Sequence, residues 1–580
     1  MPNTLPAYIS QKDYGLDANL NPYLNIITSF EEPETGRTKL KGVRLGNQIT
    51  ALSDCAFYKN TGLSQINLEN ITEFGAYSLS GTGIKSLVMS DNVTLVKMRV
   101  WFDCRELEEL VINENAEYEN FDYFYMGTGL REIVVPNFLT SETTGLFVRC
   151  YRLEKVTFLN TTGKTIAYAM FNETPALREI IGLENVEQIS WRTFLNSGIR
   201  SVEFPKVKTI GVLAFQNAES LERAEFPSLE MIQRGAFEGC KSLRSFTITE
   251  KLASFAINDV FKGCDGLEAI HAHENNPYFA SEFGVLFDKE KTEIYFYPAA
   301  SKNVEFVVPE TVTAIGESVF ANAKNLKKIS IPSVGTIGAY AFMNSGLAEV
   351  AAAENLREIG LDAFANTNLQ AIDLRKVEII YDGAFMNTRL IEVDIVNAKH
   401  IGNKAFGNIP TLEKVIIDGF DNFNFARAFY GSNVKEIVLD NCEAFTLENN
   451  FFTNGTKTVL YRYLGTDEKV MVPEGIVKIE SDAFRGNMNL KSLELPKSLG
   501  FIGDRAFYGC ENLKEITFKS EKAPILQSYF REGARYLYNQ FVMNLDDLEK
   551  PLEITVYCSG DKSFMTPIWK MYFRNIVKMS

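Results

Sequence analysis

The sequence predicts an α/β repeat fold, a solenoid in which short parallel strands stack as a ladder. Two observations carry this prediction. A pattern LxxΦxΦ, where Φ is an apolar residue, recurs from about residue 43 to residue 518, and an Ala-Phe dipeptide follows most copies. Leu490–Leu513 shows both in one stretch, LKSLELPKSLGFIGDRAFYGCENL. A repeat unit of this kind buries its apolar face only against its neighbours, so the units stack into one continuous core.

The starts of the pattern give about 18 units, most of them 21–24 residues apart. Two intervals are longer, at 59 and 56 residues. A period of this length with LxxΦxΦ is typical of a leucine-rich-repeat solenoid. The unit starts are Leu63, Ile84, Leu107, Leu130, Leu153, Leu177, Ile199, Leu221, Leu243, Leu267, Leu326, Leu347, Leu369, Leu390, Leu412, Val434, Leu490 and Leu513.

Each part of a unit has a predicted structure. The fourth and sixth positions of LxxΦxΦ share one face of a strand, and the third and fifth positions share the other. A proline such as Pro332 or Pro496 often ends the strand, since proline has no N–H for the ladder. A short apolar pair such as Phe501-Ile502 then predicts a second strand or turn. The Ala-Phe dipeptide predicts a short helical turn whose phenylalanine stacks in an internal ladder.

The longer pattern LxxIxIPxxVxxIGxxAFxxC resembles the BspA-type leucine-rich repeat, described in surface proteins of Bacteroides-like bacteria, treponemes and some mucosal parasites. The best matches are Leu490–Asn512 and Leu326–Asn344, and the resemblance covers about four-fifths of the chain. It implies a leucine-rich solenoid with hairpin-like insertions. It also implies a role in adhesion or in binding host proteins, at a cell surface or outside the cell, and it brings no catalytic motif.

The intervals between units divide the chain into repeat blocks, two hairpin-like insertions and terminal caps. Caps are expected because the ends of a solenoid expose its core. The predicted segments are an N-terminal cap or arm at 1–42, a repeat block at 43–272, a β-hairpin insertion at 273–309, a second block at 310–440, a second insertion at 441–475, final repeats at 476–518 and a C-terminal cap at 519–580.

Composition excludes several partners. The net charge is −15 and the pI is near 5.1, which argues against nucleic acid because its binding needs a basic face. The sequence contains no run of 18 apolar residues, so no transmembrane helix is expected. The first residues, MPNTLPAYISQKDYG, do not read as a secretory signal, so an intracellular or virion component stays open as an alternative to a surface protein.

The chain predicts neither a metal site nor a cofactor. His271 and His273 form an HxH pair, but no further ligands lie near them in sequence, so surface histidines are the expected interpretation. Several cysteines occupy the third position after the repeat phenylalanine, where other units carry small residues. Free buried thiols are therefore expected, although Cys240 and Cys264, in consecutive units, stay open as a possible disulfide.

The outward strand face holds the candidate binding residues. Its fifth position carries Val88, Val111 and Val134 in successive units and Ile181 two units later, which predicts an exposed adhesive row unless strand propensity alone explains it. The same position carries carboxylates at Glu203, Glu225, Asp373 and Asp394. These could bind calcium or serve as acid and base, but solvated charges are the expected interpretation.

The sequence therefore predicts a non-enzymatic binding protein that uses distributed contacts to a protein or glycan of a host or neighbouring cell. The alternative is a structural role, as a spacer, a stalk or a phage or virion component. An enzyme acting on glycans through stacked carboxylates is the third hypothesis. The phosphate-loop, nucleophile-elbow and HExxH patterns do not occur.

Overall fold

The computed structural model describes residues 26–27, 41–135, 143–159, 163–419, 423–526, 552–566, 569 and 573–579. Apart from residues 26–27 and 41–42, the predicted N-terminal cap lies outside the described residues. The chain divides into two compact units. Unit 1 contains Met1–Glu290 and Tyr295–Ser301, and unit 2 contains Lys291–Ile294 and Lys302–Ser580.

Unit 1 is a solenoid of stacked coils with two rows of short parallel strands. The LxxΦxΦ segments form one row, here called the outward strand row. Its strands are Gly42–Val43, Gln65–Ile66, Ser86–Val88, Glu109–Val111, Glu132–Val135, Lys155–Phe158, Glu179–Ile181, Ser201–Glu203, Arg223–Glu225, Ser245–Ile248 and Ala269–Ala272. The second row contains Ile26–Ile27, Ala51–Leu52, Glu73–Phe74, Leu95–Val96, Glu117–Tyr118, Thr165–Ile166, Gln188–Ile189, Thr209–Ile210 and Met231–Ile232.

Unit 2 repeats this arrangement. Its outward strand row contains Glu305–Val307, Lys328–Ser330, Glu349–Ala351, an isolated bridge at Ala371, Glu392–Ile395, Lys414–Asp418, Glu436–Asp440, Lys469–Met471, Ser492–Leu495 and Glu515–Phe518, followed by Leu552–Cys558 and Phe573–Lys578. The second row contains Ala314–Ile315, Thr336–Ile337, Glu358–Ile359, Ile379–Ile380, His400–Ile401, Lys478–Ile479, Phe501–Ile502 and Ile525–Leu526.

Hairpins lie within both predicted insertions. Phe279–Glu282 pairs antiparallel with Val285–Asp288, and Ile294–Phe296 completes that sheet. In the second insertion Phe445–Glu448, Phe451–Asn454 and Val459–Tyr463 pair antiparallel in turn. The last of these strands then pairs parallel with Lys478–Ile479, so the second hairpin joins the second strand row directly.

The predicted solenoid is confirmed, but the helical turn at Ala-Phe is wrong. The described residues contain two α-helices of four residues, Ile257–Val260 and Phe425–Ala428, and a 3-10 helix at Lys562–Met565. In most units the residues two before and two after the ladder aromatic have positive φ, as at Leu213 (54°) and Asn217 (55°) around Phe215. A left-handed residue at every fourth position interrupts an α-helix, so the segment forms successive turns.

Backbone hydrogen bonds in these turns run between coils. Leu213, Phe215 and Asn217 donate their N–H groups to carbonyls of Arg234, Ala236 and Glu238 in the next coil, at 3.1, 2.7 and 2.7 Å. The turn side of the solenoid is therefore a third ladder of inter-coil bonds, which satisfies the backbone of this compact segment.

The predicted aromatic ladder is present in both units. Neighbouring rings lie 4.8–6.0 Å apart with planes within 11° of parallel. The rings belong to Tyr125, Phe147, Phe171, Phe194, Phe215, Phe237 and Phe261 in unit 1, and to Phe320, Phe342, Phe364, Phe385, Phe406 and Phe429 in unit 2. All are buried. Among the described residues no helix has the length and apolar character needed to cross a bilayer.

Candidate functional site

The four predicted residues of the outward row are exposed, and one further residue fills the gap between them. Val88, Val111 and Val134 are 68, 56 and 51 % exposed, and Ile181 is 38 % exposed. Val88 is in register with Val111, while Val134 pairs with Thr157 and Thr157 with Ile181. Thr157 fills the gap in the predicted row, and it is also β-branched. We call Val88, Val111, Val134, Thr157 and Ile181 the β-branched row; it spans five consecutive coils.

A groove crosses the β-branched row between Val111 and Val134. Glu109–Val111 and Glu132–Val135 belong to different sheets, and the last backbone hydrogen bond before they diverge runs from Arg131 N–H to Glu108 C=O at 3.4 Å. The groove has a volume of about 680 Å³. The sequence reasoning missed it, since strand divergence leaves no mark on the apolar periodicity.

Charged side chains border this groove with a clear asymmetry. Arg131 forms an ion pair with Glu154 at 3.2 Å, and Lys155 forms one with Glu179 at 2.8 Å. The Glu179 carboxylate raises the pKa of the Lys155 ammonium above its usual value through this contact. Both cations line the groove, but their ion pairs run across the strands to carboxylates of the following coils.

Three carboxylates at the groove make no ion pair with any described residue: Glu109, Glu114 and Glu132. Glu109 accepts a hydrogen bond from the Ser86 hydroxyl at 3.1 Å. All three side chains are exposed. The groove therefore combines apolar walls with a rim of three carboxylates that form no ion pair within the described part of the chain.

The four predicted outward carboxylates do not form an acid–base site. Glu203 and Glu225 are in register on adjacent strands, but Arg223 forms an ion pair with Glu225 at 2.7 Å and lowers the pKa of that carboxyl. Both lie on open strand surface, and Glu203 is exposed. The pair therefore lies on the solvent-facing side of the sheet, with one carboxylate already bound to an arginine.

Asp373 and Asp394 lie in opposite environments. Arg375 binds both oxygens of Asp373, at 3.0 and 2.7 Å, and this bond lowers the pKa of the Asp373 carboxyl. Burial raises the pKa of Asp394, and its Oδ1 atom makes no hydrogen bond. No strand ladder joins the two coils at this level, but Asp373 and Arg375 both act electrostatically on the Asp394 carboxyl.

The histidines and cysteines have structural surroundings. His271 and His273 are exposed, and His273 Nδ1 accepts a hydrogen bond from the Asn275 N–H at 3.2 Å. No group of three or more His, Cys, Asp or Glu side chains placed to hold a metal occurs in the described part of the chain. Cys240 and Cys264 are free and buried; each thiol donates to a backbone carbonyl at 3.1 Å, and burial raises both pKa values.

Two further clusters escaped the sequence reasoning. Trp191 is 46 % exposed, with the Tyr168 ring 5.4 Å away and the Arg192 guanidinium 4.8 Å above its ring. In unit 2 the buried Arg462 guanidinium donates to the carbonyls of Val434, Asp482 and Arg485, and burial lowers its pKa to about 10. An exposed tryptophan before a repeat phenylalanine was a visible signal for the first cluster, whereas Arg462 lies in the insertion, outside the period.

Solved structures of several bacterial proteins are similar to this chain. A leucine rich cell surface protein from Faecalibacterium prausnitzii is 16% identical, covers 85% of this chain and 90% of its own, and has a TM-score of 0.28. The pneumococcal vaccine antigen PcpA is 16% identical over 96% and 95%, with a TM-score of 0.30. A leucine-rich repeat protein from Bacteroides ovatus is 18% identical over 84% and 89%, with a TM-score of 0.23. No curated protein matches the chain.

The family comparison agrees with the repeat pattern. The model for the BspA type leucine rich repeat region matches residues 35–154, 143–268, 292–413, 378–462 and 460–549, which together span most of the sequence. The match includes the β-branched row and both blocks of coils. The chain belongs to the BspA-type leucine-rich repeat family.

Proposed function

We propose that this protein is a non-enzymatic binding protein, displayed at a cell surface or secreted, whose β-branched row binds a macromolecule of a host or neighbouring cell. The observation that carries the proposal is the run of five β-branched residues on consecutive coils, of which Val88, Val111, Val134 and Ile181 are exposed and Thr157 is partly buried. A wide solenoid face suits distributed contacts, and the apolar character of the row favours a protein over a glycan.

Strand propensity alone does not account for this row. β-Branched residues favour strands at any position, so propensity predicts them scattered along the fifth position. Farther along unit 1 the fifth position carries Glu203, Glu225, Thr247 and His271, so its one β-branched residue there is isolated and polar. In unit 2, Val307 is 67 % exposed, but its register partner is Ser330. Ile416 and Val438 form a register pair at this position in unit 2, but both are only partly exposed. The longer run, with four exposed aliphatic residues over five coils, lies from Val88 to Ile181.

The row supplies a useful amount of binding energy. Full burial of an aliphatic side chain stabilises by about 1.5–3 kcal/mol. Scaled by the exposed fractions of the three valines and Ile181, complete coverage yields roughly 3–6 kcal/mol before the cost of association. This free energy is large enough for the row to supply most of the binding energy of an interface, with the polar residues around it forming the rim.

A binding panel tests this proposal. The full chain is measured by biolayer interferometry against immobilised laminin, fibronectin, collagens and mucin. The variant V88S/V111S/V134S should weaken binding to a recognised ligand by about tenfold or more, since it removes most of the exposed apolar area. The matched control V307S changes an equally exposed valine on an outward strand and should bind like the wild type.

Circular dichroism and thermal unfolding of each variant verify that the fold is retained. Equal binding by the triple variant and the wild type contradicts the proposed surface. Failure of the wild-type chain to bind any panel member counts against the adhesive role and favours the spacer role instead.

A further inference from the structure

The groove between Val111 and Val134 has the features of a pocket for one long cationic side chain. Its walls are two half-exposed valines on strands that diverge, and its rim carries Glu109, Glu114 and Glu132. Arginine and lysine side chains combine an apolar stem with a charged head, so they cover apolar surface while the charge stays near water or a carboxylate. The groove presents the complementary arrangement.

The described cations near the groove form no ion pair with the rim glutamates, although Lys155 is in register with Glu132 and interacts with it electrostatically. Arg131 is held by Glu154 and Lys155 by Glu179, at 3.2 and 2.8 Å. Arg152, on the neighbouring coil, is held by Glu108 at 3.1 Å. Each nearby cation therefore has a carboxylate partner outside the three rim glutamates. An incoming cation meets three carboxylates without displacing an existing ion pair.

We propose that this groove binds an arginine side chain of an extended segment of the protein ligand, with the stem between Val111 and Val134 and the guanidinium against Glu109 and Glu132. This inference rests on the proposed function, because it assigns partner chemistry to the same face. Arginine fits better than lysine because its planar fork serves carboxylates on both sides of the groove. The contact is solvent-accessible, so its affinity falls as ionic strength rises.

The test uses three short peptides in place of the unidentified ligand. The first is acetyl-valine-arginine-valine amide. In the second peptide citrulline replaces the arginine, and in the third glutamate replaces it. Citrulline keeps the size and planarity of arginine and removes the charge. The full chain carries ¹³C-labelled valine methyl groups, and the Val111 and Val134 signals are assigned from V111I and V134I. Titration of each peptide is followed by methyl NMR.

The arginine peptide should shift the Val111 and Val134 methyl signals, with Val307 unchanged, and the glutamate peptide should not. Citrulline should bind several-fold more weakly than arginine. E109Q/E132Q should lower the affinity for the arginine peptide by about threefold for each carboxylate removed, as expected for a largely exposed ion pair. The control E225Q removes a carboxylate already paired with Arg223 and should have no effect. Raising NaCl from low to high concentration should weaken binding of the arginine peptide only.

Equal affinity for the arginine and citrulline peptides overturns the inference, as does unchanged arginine binding by E109Q/E132Q. The two proposals fail separately. If V88S/V111S/V134S loses the macromolecular ligand but E109Q/E132Q retains it at full affinity, the binding face stands and the arginine assignment fails. If the arginine peptide binds as described while the triple valine variant keeps its macromolecular ligand, the proposed function fails.

Discussion

Replacing Phe364 by alanine removes one ring from the middle of the unit 2 aromatic ladder. The Phe364 side chain is fully buried, and its ring lies 5.1 Å from that of Phe342 and 5.2 Å from that of Phe385, with planes within 3° of parallel. Coil stacking fixes the backbone on both sides through hydrogen bonds from Phe342 to Ala363 and from Phe364 to Ala384, both 2.7 Å. The site therefore has little freedom to collapse around the missing ring.

The expected loss in unfolding free energy is about 4–5 kcal/mol, the upper part of the usual range for a buried phenylalanine replaced by alanine. Two stacked contacts worth about 0.5–1.5 kcal/mol each contribute to it. F364L keeps most of the volume and should lose about half as much, because the ring contacts disappear without a large cavity. In a solenoid the effect should be local, since each coil contacts only its neighbours.

Hydrogen exchange followed by mass spectrometry measures this locality. Protection should fall first in the coils from Phe342 to Phe385. The control V111A alters a side chain that is 56 % exposed and should change unfolding free energy by less than about 0.5 kcal/mol. A loss below about 1 kcal/mol for F364A would refute the inference that a ring of the ladder makes a large contribution to stability.

Three further results are expected. R462M leaves the carbonyls of Val434, Asp482 and Arg485 without their shared donor and should cost about 3–5 kcal/mol by urea unfolding. Asn387 has φ 61°, so N387A should lose about 1 kcal/mol in thermal unfolding and N387G almost nothing. Burial raises the Cys264 pKa from 9.0 to about 12; the protonated thiol's stabilisation is complete below pH 9 and is lost as pH rises toward 12. At pH 10 the loss should be about 1.4 kcal/mol in urea unfolding, and C264A should lose correspondingly less than the wild type between pH 8 and 10.

The sequence predicted the solenoid because the repeat period is set by side chains that are buried in the core. Position four of LxxΦxΦ and the Ala-Phe dipeptide both point inward, so stacking of identical coils follows from the apolar pattern alone. The helical turn was wrong because alanine's helix propensity competes with left-handed residues at fixed positions around the phenylalanine. Asn217, Asn344 and Asn387 were the available signal, since asparagine tolerates positive φ better than most residues.

Five strands of the outward row lay outside the eighteen predicted units: Gly42–Val43, Glu305–Val307, Lys469–Met471, Leu552–Cys558 and Phe573–Lys578. Before Glu305–Val307 and Lys469–Met471, the first pattern position holds Asn303 and Asp467, where the predicted units have leucine, isoleucine or valine. Both strands follow a hairpin, and the strict apolar requirement at position one excluded them from the pattern.

The candidate site was predicted in part. Alternation along a strand fixes which side chains face outward, so exposure of Val88, Val111, Val134 and Ile181 followed from their position. Thr157 was left out of the predicted row because its hydroxyl makes it polar, although it is β-branched and in register with Val134 and Ile181. The groove depends on how two neighbouring strands diverge and on which glutamates pair with which cations. Those are properties of three-dimensional contacts that no single repeat encodes.

The most direct test of the binding face is carbene footprinting of the complex with the tightest-binding ligand from the panel. Labelling of Val88, Val111 and Val134 should fall on complex formation, while Val307 and Met471, both more than 60 % exposed on outward strands, should keep their free-state labelling. Protection of the turn side at Trp191 with the β-branched row still labelled would contradict the proposed binding face.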